Sequence, residues 1–198
     1  EAVWVSGESM LGIGNTVDGL TSATALGVAS TALEPTGYPA FSSDMVTGLI
    51  PGSIGETSVI AILLGAILLL VTGIASWKIM FSVFAGGAFM AFIFNAIGPD
   101  TAMAQMPWYE HLVLGGFCFG AVFMATDPVT AARTEKGKYV YGLLIGIMAI
   151  VIRVLNPGYP EGMMLAILLM NIFAPLIDYG VVQSNISRRE KRALKSNH

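Results

Sequence analysis

Residues 59–74 read Val-Ile-Ala-Ile-Leu-Leu-Gly-Ala-Ile-Leu-Leu-Leu-Val-Thr-Gly-Ile, a run without a single charged side chain. Set within 57–77, it reaches the roughly 20 residues that a helix needs to cross the hydrocarbon core of a bilayer. Four further apolar segments follow it, at 79–98, 111–127, 139–155 and 162–182. The third is short, bounded by Pro107 and by the Asp127-Pro128 pair. The fifth contains Pro175, which removes a backbone donor and is expected to kink or break its helix. The pattern predicts an all-α integral membrane protein with about five spanning helices.

Composition agrees. The 198 residues are 55% hydrophobic and 12% charged, with a mean hydropathy of +0.72. Soluble domains carry about 25% charged residues, and a chain this apolar would leave too much of its surface in water. The 23 glycines and 11 methionines fit the same reading, because membrane helices approach one another through small residues. Ala85-Gly86-Gly87-Ala88, Gly116 with Gly120, and Gly142 with Gly146 are the expected contact patches. Cys118 is the single cysteine, so no internal disulfide forms, and its apolar surroundings suit an inert packed thiol.

Charge gives orientation. No Lys or Arg precedes Lys78, whereas Glu1, Glu8, Asp18, Glu34, Asp44 and Glu56 are acidic. Five crossings put Lys78, the loop of Arg133, Lys136 and Lys138, and the tail of Arg188, Arg189, Lys191, Arg192 and Lys195 on one side. That side is the cytoplasm by the positive-inside rule, which leaves the first segment outside. After an apolar helix a basic tail marks membrane sidedness, and no nucleic-acid partner is expected. Arg153 is the exception, near the outer end of the fourth span, where it is expected to snorkel or to pair with Glu161. Trp77, Tyr139, Tyr141 and Tyr179 fall at inner boundaries, and Trp108, Tyr109 and Tyr159 at outer ones, as interfacial aromatics do.

The chain therefore divides into an outer loop segment at 1–56, a membrane domain at 57–182 and a basic tail at 183–198. It begins at Glu1 without a signal-peptide pattern and is expected to be the later part of a longer protein. The outer segment is rich in Gly, Ser, Thr and Pro, and long loops on membrane scaffolds often carry function. Within it stands Asp18-Gly19-Leu20-Thr21-Ser22-Ala23-Thr24-Ala25-Leu26. A helix beginning at Ala23 would take Thr21 or Ser22 as its cap, and its free amides would favour an anion such as phosphate. Taken alone, the stretch reads first as a capped loop, since Ser/Thr-rich turns are common.

Six blocks widen that reading: the Asp18–Leu26 stretch, Ile50-Pro-Gly-Ser-Ile-Gly-Glu56, His111-Leu-Val-Leu-Gly-Gly-Phe117, Phe123-Met-Ala-Thr-Asp-Pro128, Asn156-Pro-Gly-Tyr-Pro-Glu-Gly-Met-Met164 and Asn171-Ile-Phe-Ala-Pro175. In order and spacing the chain resembles the carboxy-terminal half of the B-type subunit of the sodium-translocating NADH:quinone oxidoreductases (Na+-NQR). The resemblance implies half of a two-repeat, urea-transporter-like helical fold in the bacterial inner membrane, with a periplasmic first segment and a cytoplasmic carboxy-terminus. It further implies FMN joined by a phosphoester to the threonine that ends a Ser/Thr-Gly-Ala-Thr motif, which is Thr24 here. Asp18, Gly19, Thr21, Ser22 and Ala23 complete the attachment turn. Ser22 stands where the family usually has glycine, which makes Ser22 and Thr21 rival acceptors.

The same resemblance implies ubiquinone as electron acceptor, coupled sodium export, a flavin transferase acting outside with FAD, and companion subunits in a multi-subunit complex. No acid–base catalyst is required, since the cofactor carries the redox chemistry. No Gly-rich nucleotide loop is present, so NADH is expected on another subunit. Asp127 and Asp178 are candidates for an ion pathway, although both also read as boundary caps. Thr126-Asp127-Pro128 is a candidate border for a noncovalent riboflavin, which the resemblance also implies. His111 and His198 lack ligand partners at metal spacing, so no metal site is expected. The alternatives are the D-type subunit of the Rnf ferredoxin:NAD complexes, which shares the flavin–threonine link, and a cofactor-free transporter of the same fold.

Overall fold

The computed structural model describes residues 24–32, 34, 36, 41–50, 52–53, 55–156 and 158–196. In chain order they form α1 (Ala25–Thr31), α2 (Asp44–Thr47), α3 (Val59–Val71), α4 (Trp77–Ile97), α5 (Ala102–Gln105), α6 (Trp108–Val113), α7 (Phe117–Phe119), a π-helical turn (Gly120–Met124), α8 (Glu135–Leu155) and α9 (Met163–Ser196). No strand occurs among the described residues.

Three helices are long and apolar enough to cross a membrane: α4, α8 and α9, the last over Met163–Arg192. Their outward faces carry large apolar side chains, among them Phe81, Phe89, Phe92, Ile172 and Leu176, all more than half exposed. Water would not tolerate such a belt, and lipid requires one. The architecture is that of an integral membrane protein.

The other two expected spans take a different form. The run at 57–77 becomes α3, only 13 residues long. At 1.5 Å per residue it covers about 20 Å, short of the hydrocarbon core. Its start is fixed by Ser58, whose hydroxyl accepts from the Ala61 amide at 3.4 Å. It ends where the Thr72 hydroxyl bonds back to Leu68 at 2.9 Å and Gly73 turns to φ 72°, a left-handed C-terminal stop. Hydropathy does not register that stop. The segment at 111–127 is broken: α6 ends at Leu114, Gly115 adopts φ 66°, and the chain resumes as α7 and the π turn. There the Ala125 amide reaches back five residues to Gly120 O at 2.7 Å.

The fifth segment errs the other way. Pro175 lies inside α9, which runs on unbroken to Ser196 and takes in nearly all of the expected tail. Membrane helices tolerate proline where neighbouring groups compensate the freed carbonyl, and the Arg, Lys and Glu residues of 188–195 are good helix formers.

Glycine sets the central packing. An added Cβ on Gly146 would stand 2.2 Å from Val83 O, and one on Gly86 would stand 2.3 Å from Leu143 O. Gly142 would likewise meet Ile79 O at 2.7 Å. α4 and α8 thus run parallel with their backbones in contact, the geometry that small-residue patches permit. The Gly86-Gly87 and Gly142/Gly146 patches meet each other as expected, whereas Gly116 faces carboxylates and does not join a helix seam. α9 lies antiparallel to α8, joined by the Tyr141 hydroxyl to Asn171 Oδ1 and by Asp178 to Thr134 at 2.6 Å. Replacing Gly146 by Ala is expected to force the seam apart and to cost about 1–3 kcal/mol, read as a lowered denaturation midpoint in detergent.

Lys78 at the start of α4 and Lys138 in α8 both pair with Glu135. The amino-terminal ends of α4 and α8 therefore share one face, the basic end. At the far end, α1 and α2 dock through Leu26, Ala29 and Met45 onto Met103, Met106 and Leu114.

Candidate functional site

Thr24 is the cap of α1. Its backbone is extended (φ −64°, ψ 156°), its hydroxyl oxygen accepts from the Gly27 amide at 3.1 Å, and its carbonyl accepts from Val28 at 2.9 Å. The helix thus begins at Ala25, two residues later than the expected start, and the cap is Thr24 itself, not Thr21 or Ser22. A threonine Oγ that accepts one hydrogen bond keeps its proton and a second lone pair free. Asp18, Gly19, Thr21, Ser22 and Ala23 lie outside the described residues.

Thr24 opens onto a cleft formed by three separate parts of the chain: Ile50, Gly52 and Glu56 from the stretch before α3, Leu114 and Gly115 from the break after α6, and Glu161 from the turn before α9. The enclosed space is about 10 Å³, room for roughly one water. A flavin ring does not fit inside this cleft, but a half-buried hydroxyl at its edge suits attachment with the ring lying outside. The Thr24 hydroxyl fits such a linkage, and a ring attached there would need a pocket on other surfaces.

Two carboxylates border the cleft, each held by a backbone amide. Glu161 Oε2 accepts from Gly116 at 2.9 Å, and Glu56 Oε1 accepts from Ser53 at 2.9 Å. Only glycine suits position 115. Its φ is positive, and a Cβ there would stand 2.4 Å from Leu26 Cδ1 and 2.8 Å from Glu161 Oε2.

Beneath the break lies Arg153, with none of its surface exposed. Its guanidinium donates to His111 O at 2.6 Å, Leu114 O at 3.3 Å, Pro160 O at 3.2 Å and, more weakly, Glu161 O at 3.5 Å. The expectation that Arg153 snorkels or pairs with the Glu161 carboxylate is therefore corrected. It turns inward because the end of α6 leaves carbonyls without intrahelical partners, and five fixed N–H donors can satisfy several at once. One signal of this is visible in the sequence, a Gly-Gly pair interrupting an apolar run. In α6 the side chains of Glu110 and His111 are buried, with Glu110 Oε2 and both His111 ring nitrogens lacking partners among the described residues. Among those residues no group of three or more His, Cys, Asp or Glu side chains is placed to hold a metal.

The two candidate ion-pathway acids lie at the basic end of α8. Its 21 residues separate them from the Thr24 cleft by about 30 Å at 1.5 Å per residue. Asp127 accepts from the Thr130 hydroxyl at 2.7 Å and amide at 3.1 Å. Asp178 accepts from the Arg133 amide at 2.8 Å, the Thr134 amide at 3.0 Å and the Thr134 hydroxyl. Both carboxylates organise the loop before α8, and they border neighbouring cavities of about 200 and 350 Å³. Asp178→Asn turns one carboxylate oxygen into a donor that faces either the Arg133 amide or the two Thr134 donors. It is expected to cost about 2 kcal/mol, measured by thermal unfolding in detergent.

Comparison with known proteins places these features in a wider set. The NQR2, RnfD, RnfE family model matches residues 2–187. The B-type subunit of the Na(+)-translocating NADH-quinone reductase of Chromohalobacter salexigens is 55% identical over 194 residues, 97% of this chain and 45% of that protein. The protein of the same description from Klebsiella pneumoniae is 58% identical over 158 residues, 79% of this chain and 38% of its own length. That from Pseudomonas aeruginosa is 50% identical over 195 residues, 97% of this chain and 46% of its own. The chain spans a little under half the length of these relatives.

Proposed function

From the finding that the chain belongs to the NQR2, RnfD, RnfE family, we propose that it is the part of a sodium-translocating NADH:quinone reductase subunit that carries FMN covalently on Thr24. The observation that carries the reading is the placement of Thr24: a capping hydroxyl, half-buried at the edge of a cleft at the non-basic end of the molecule. When bound, FMN supplies one- and two-electron chemistry that no side chain offers. Thr24 is its anchor. The cap geometry holds the Oγ in place, and Arg153, Gly115 and Glu161 hold the wall it opens onto.

The relatives' printed names support NADH-derived electrons, quinone reduction and sodium translocation as the business of the whole assembly. In this proposal ubiquinone takes the electrons, NADH binds a companion subunit, and a flavin transferase loads Thr24. Residues 1–56 form the periplasmic flavin-bearing segment, 57–182 the membrane domain and 183–198 the cytoplasmic end. α3 and the broken 108–124 segment complete a set of about five membrane-inserted elements, half of a urea-transporter-like fold in the bacterial inner membrane. The clustering of Lys78, Arg133, Lys136 and Lys138 about the start of α8 supports that orientation. Asp127 and Asp178 are proposed on the sodium path, using lone pairs left over from the loop. The cavity bordered by Thr126 and Asp127 is the proposed border of a noncovalent riboflavin.

The test is denaturing electrophoresis under ultraviolet light of protein expressed with its flavin transferase. A fluorescent band at the mass of the chain is expected, and a dark band would remove the flavin reading while leaving the membrane fold untouched.

A further inference from the structure

A second site lies at the basic end, away from Thr24. Between α8 and α9 runs a groove of about 300 Å³ lined by Lys136 and Val140 on one wall and by Leu176, Gly180, Val181 and Ser184 on the other. Its chemistry is graded. On α9, Leu176, Gly180 and Ser184 recur every four residues and so share one face, which continues to Arg188. On α8, Lys136 and Val140 repeat that spacing. The polar members stand towards the helix ends and the apolar members towards the middle of the bundle. The groove is open at Gly180, where a Cβ would meet no atom within 4 Å.

Charge marks the occupant. Lys78 and Lys138 are both engaged by Glu135. Lys136, the second residue of the same helix and exposed, has no carboxylate in ion-pair range among the described residues. An unengaged ammonium above an apolar slot, on helices whose same ends carry the exposed aromatics Tyr139 and Tyr179, suits an amphipathic anion drawn from the membrane. Aromatics of this kind sit at headgroup depth, and basic pockets between membrane helices bind anionic headgroups.

We infer that this groove is a binding site for an anionic glycerophospholipid. Its phosphate is held by Lys136 with Ser184 and Arg188, and one acyl chain lies along Val140, Leu176 and Val181 past Gly180. The site rests on the proposed orientation only for the leaflet it draws from. A reversed orientation would move it to the other leaflet without changing its ligand.

Native mass spectrometry of the assembled complex in detergent tests it, with phosphatidylglycerol or phosphatidylcholine added at equal concentration. Wild-type protein is expected to retain phosphatidylglycerol in clear preference. Lys136→Gln should weaken that retention about fivefold, the effect of one basic residue near a headgroup, and should weaken retention of the zwitterionic phosphatidylcholine less, so that the preference shrinks. Gly180→Leu fills the slot and should lower retention of both lipids. Equal binding of the two lipids, or an unchanged preference in Lys136→Gln, would overturn the proposal. So would a Gly180→Cys variant that crosslinks to another stretch of protein, because the groove would then be a protein seam. Flavin fluorescence in the same samples reports the Thr24 reading separately.

Discussion

Thr24→Ala protein will run as a dark band under ultraviolet light and will weigh what its amino acids weigh, while still inserting into the membrane. The substitution removes the only atom at this position able to carry a phosphoester. It costs the cap of a seven-residue helix, about 1 kcal/mol, against a membrane domain packed elsewhere through α4, α8 and α9. Loss of the flavin should therefore be complete and loss of fold slight. Quinone reduction by the assembled complex should fall to background. Thr24→Ser, which keeps the hydroxyl and the cap, should restore the fluorescent band. If Thr24→Ala kept its fluorescence, the acceptor would be Ser22 or Thr21.

Arg153→Leu should be the most destabilising single change in the membrane domain. The side chain is fully buried and donates to carbonyls of His111, Leu114 and Pro160 on two separate segments. Each carbonyl left without a donor in a dry interior costs roughly 1–3 kcal/mol, and Leu supplies none. An overall loss of more than about 3 kcal/mol is expected from those terms together. Arg153→Lys, with a shorter reach and no planar fork, should recover part of it. Denaturation in detergent followed by helix content measures both. Wild-type stability in Arg153→Leu would show that the break after α6 is held by other means.

How much of this was legible in the sequence depended on the kind of signal. The apolar runs that became α4, α8 and α9 were clear, because a spanning helix needs only length and hydrophobicity. The Gly86 and Gly142/Gly146 patches were legible for a related reason, since glycine at that spacing makes a backbone-deep groove. Endings within apolar runs were not. Hydropathy treats Thr72-Gly73 and Leu114-Gly115-Gly116 as more of the same helix, yet positive φ at Gly73 and Gly115 stops the chain in both places. The sequence points Arg153 towards water because a lone cation near a helix end usually reaches for it, and the Gly115-Gly116 break is a faint signal of the carbonyls that hold it inside. The proposed attachment residue rests on the resemblance, while the helix it caps begins two residues later than the sequence pattern suggests. A helix start depends on which hydroxyl closes the first turn, and Thr21, Ser22 and Thr24 are equally competent by type.

The most direct test is the mass of the proteolytic peptide containing Thr24, taken from protein purified from membranes that also contain the transferase. The expected result is the peptide plus FMN less one water, with fragmentation placing the addition on Thr24. An unmodified peptide, or the same addition on any other residue, Thr21 and Ser22 included, would contradict it.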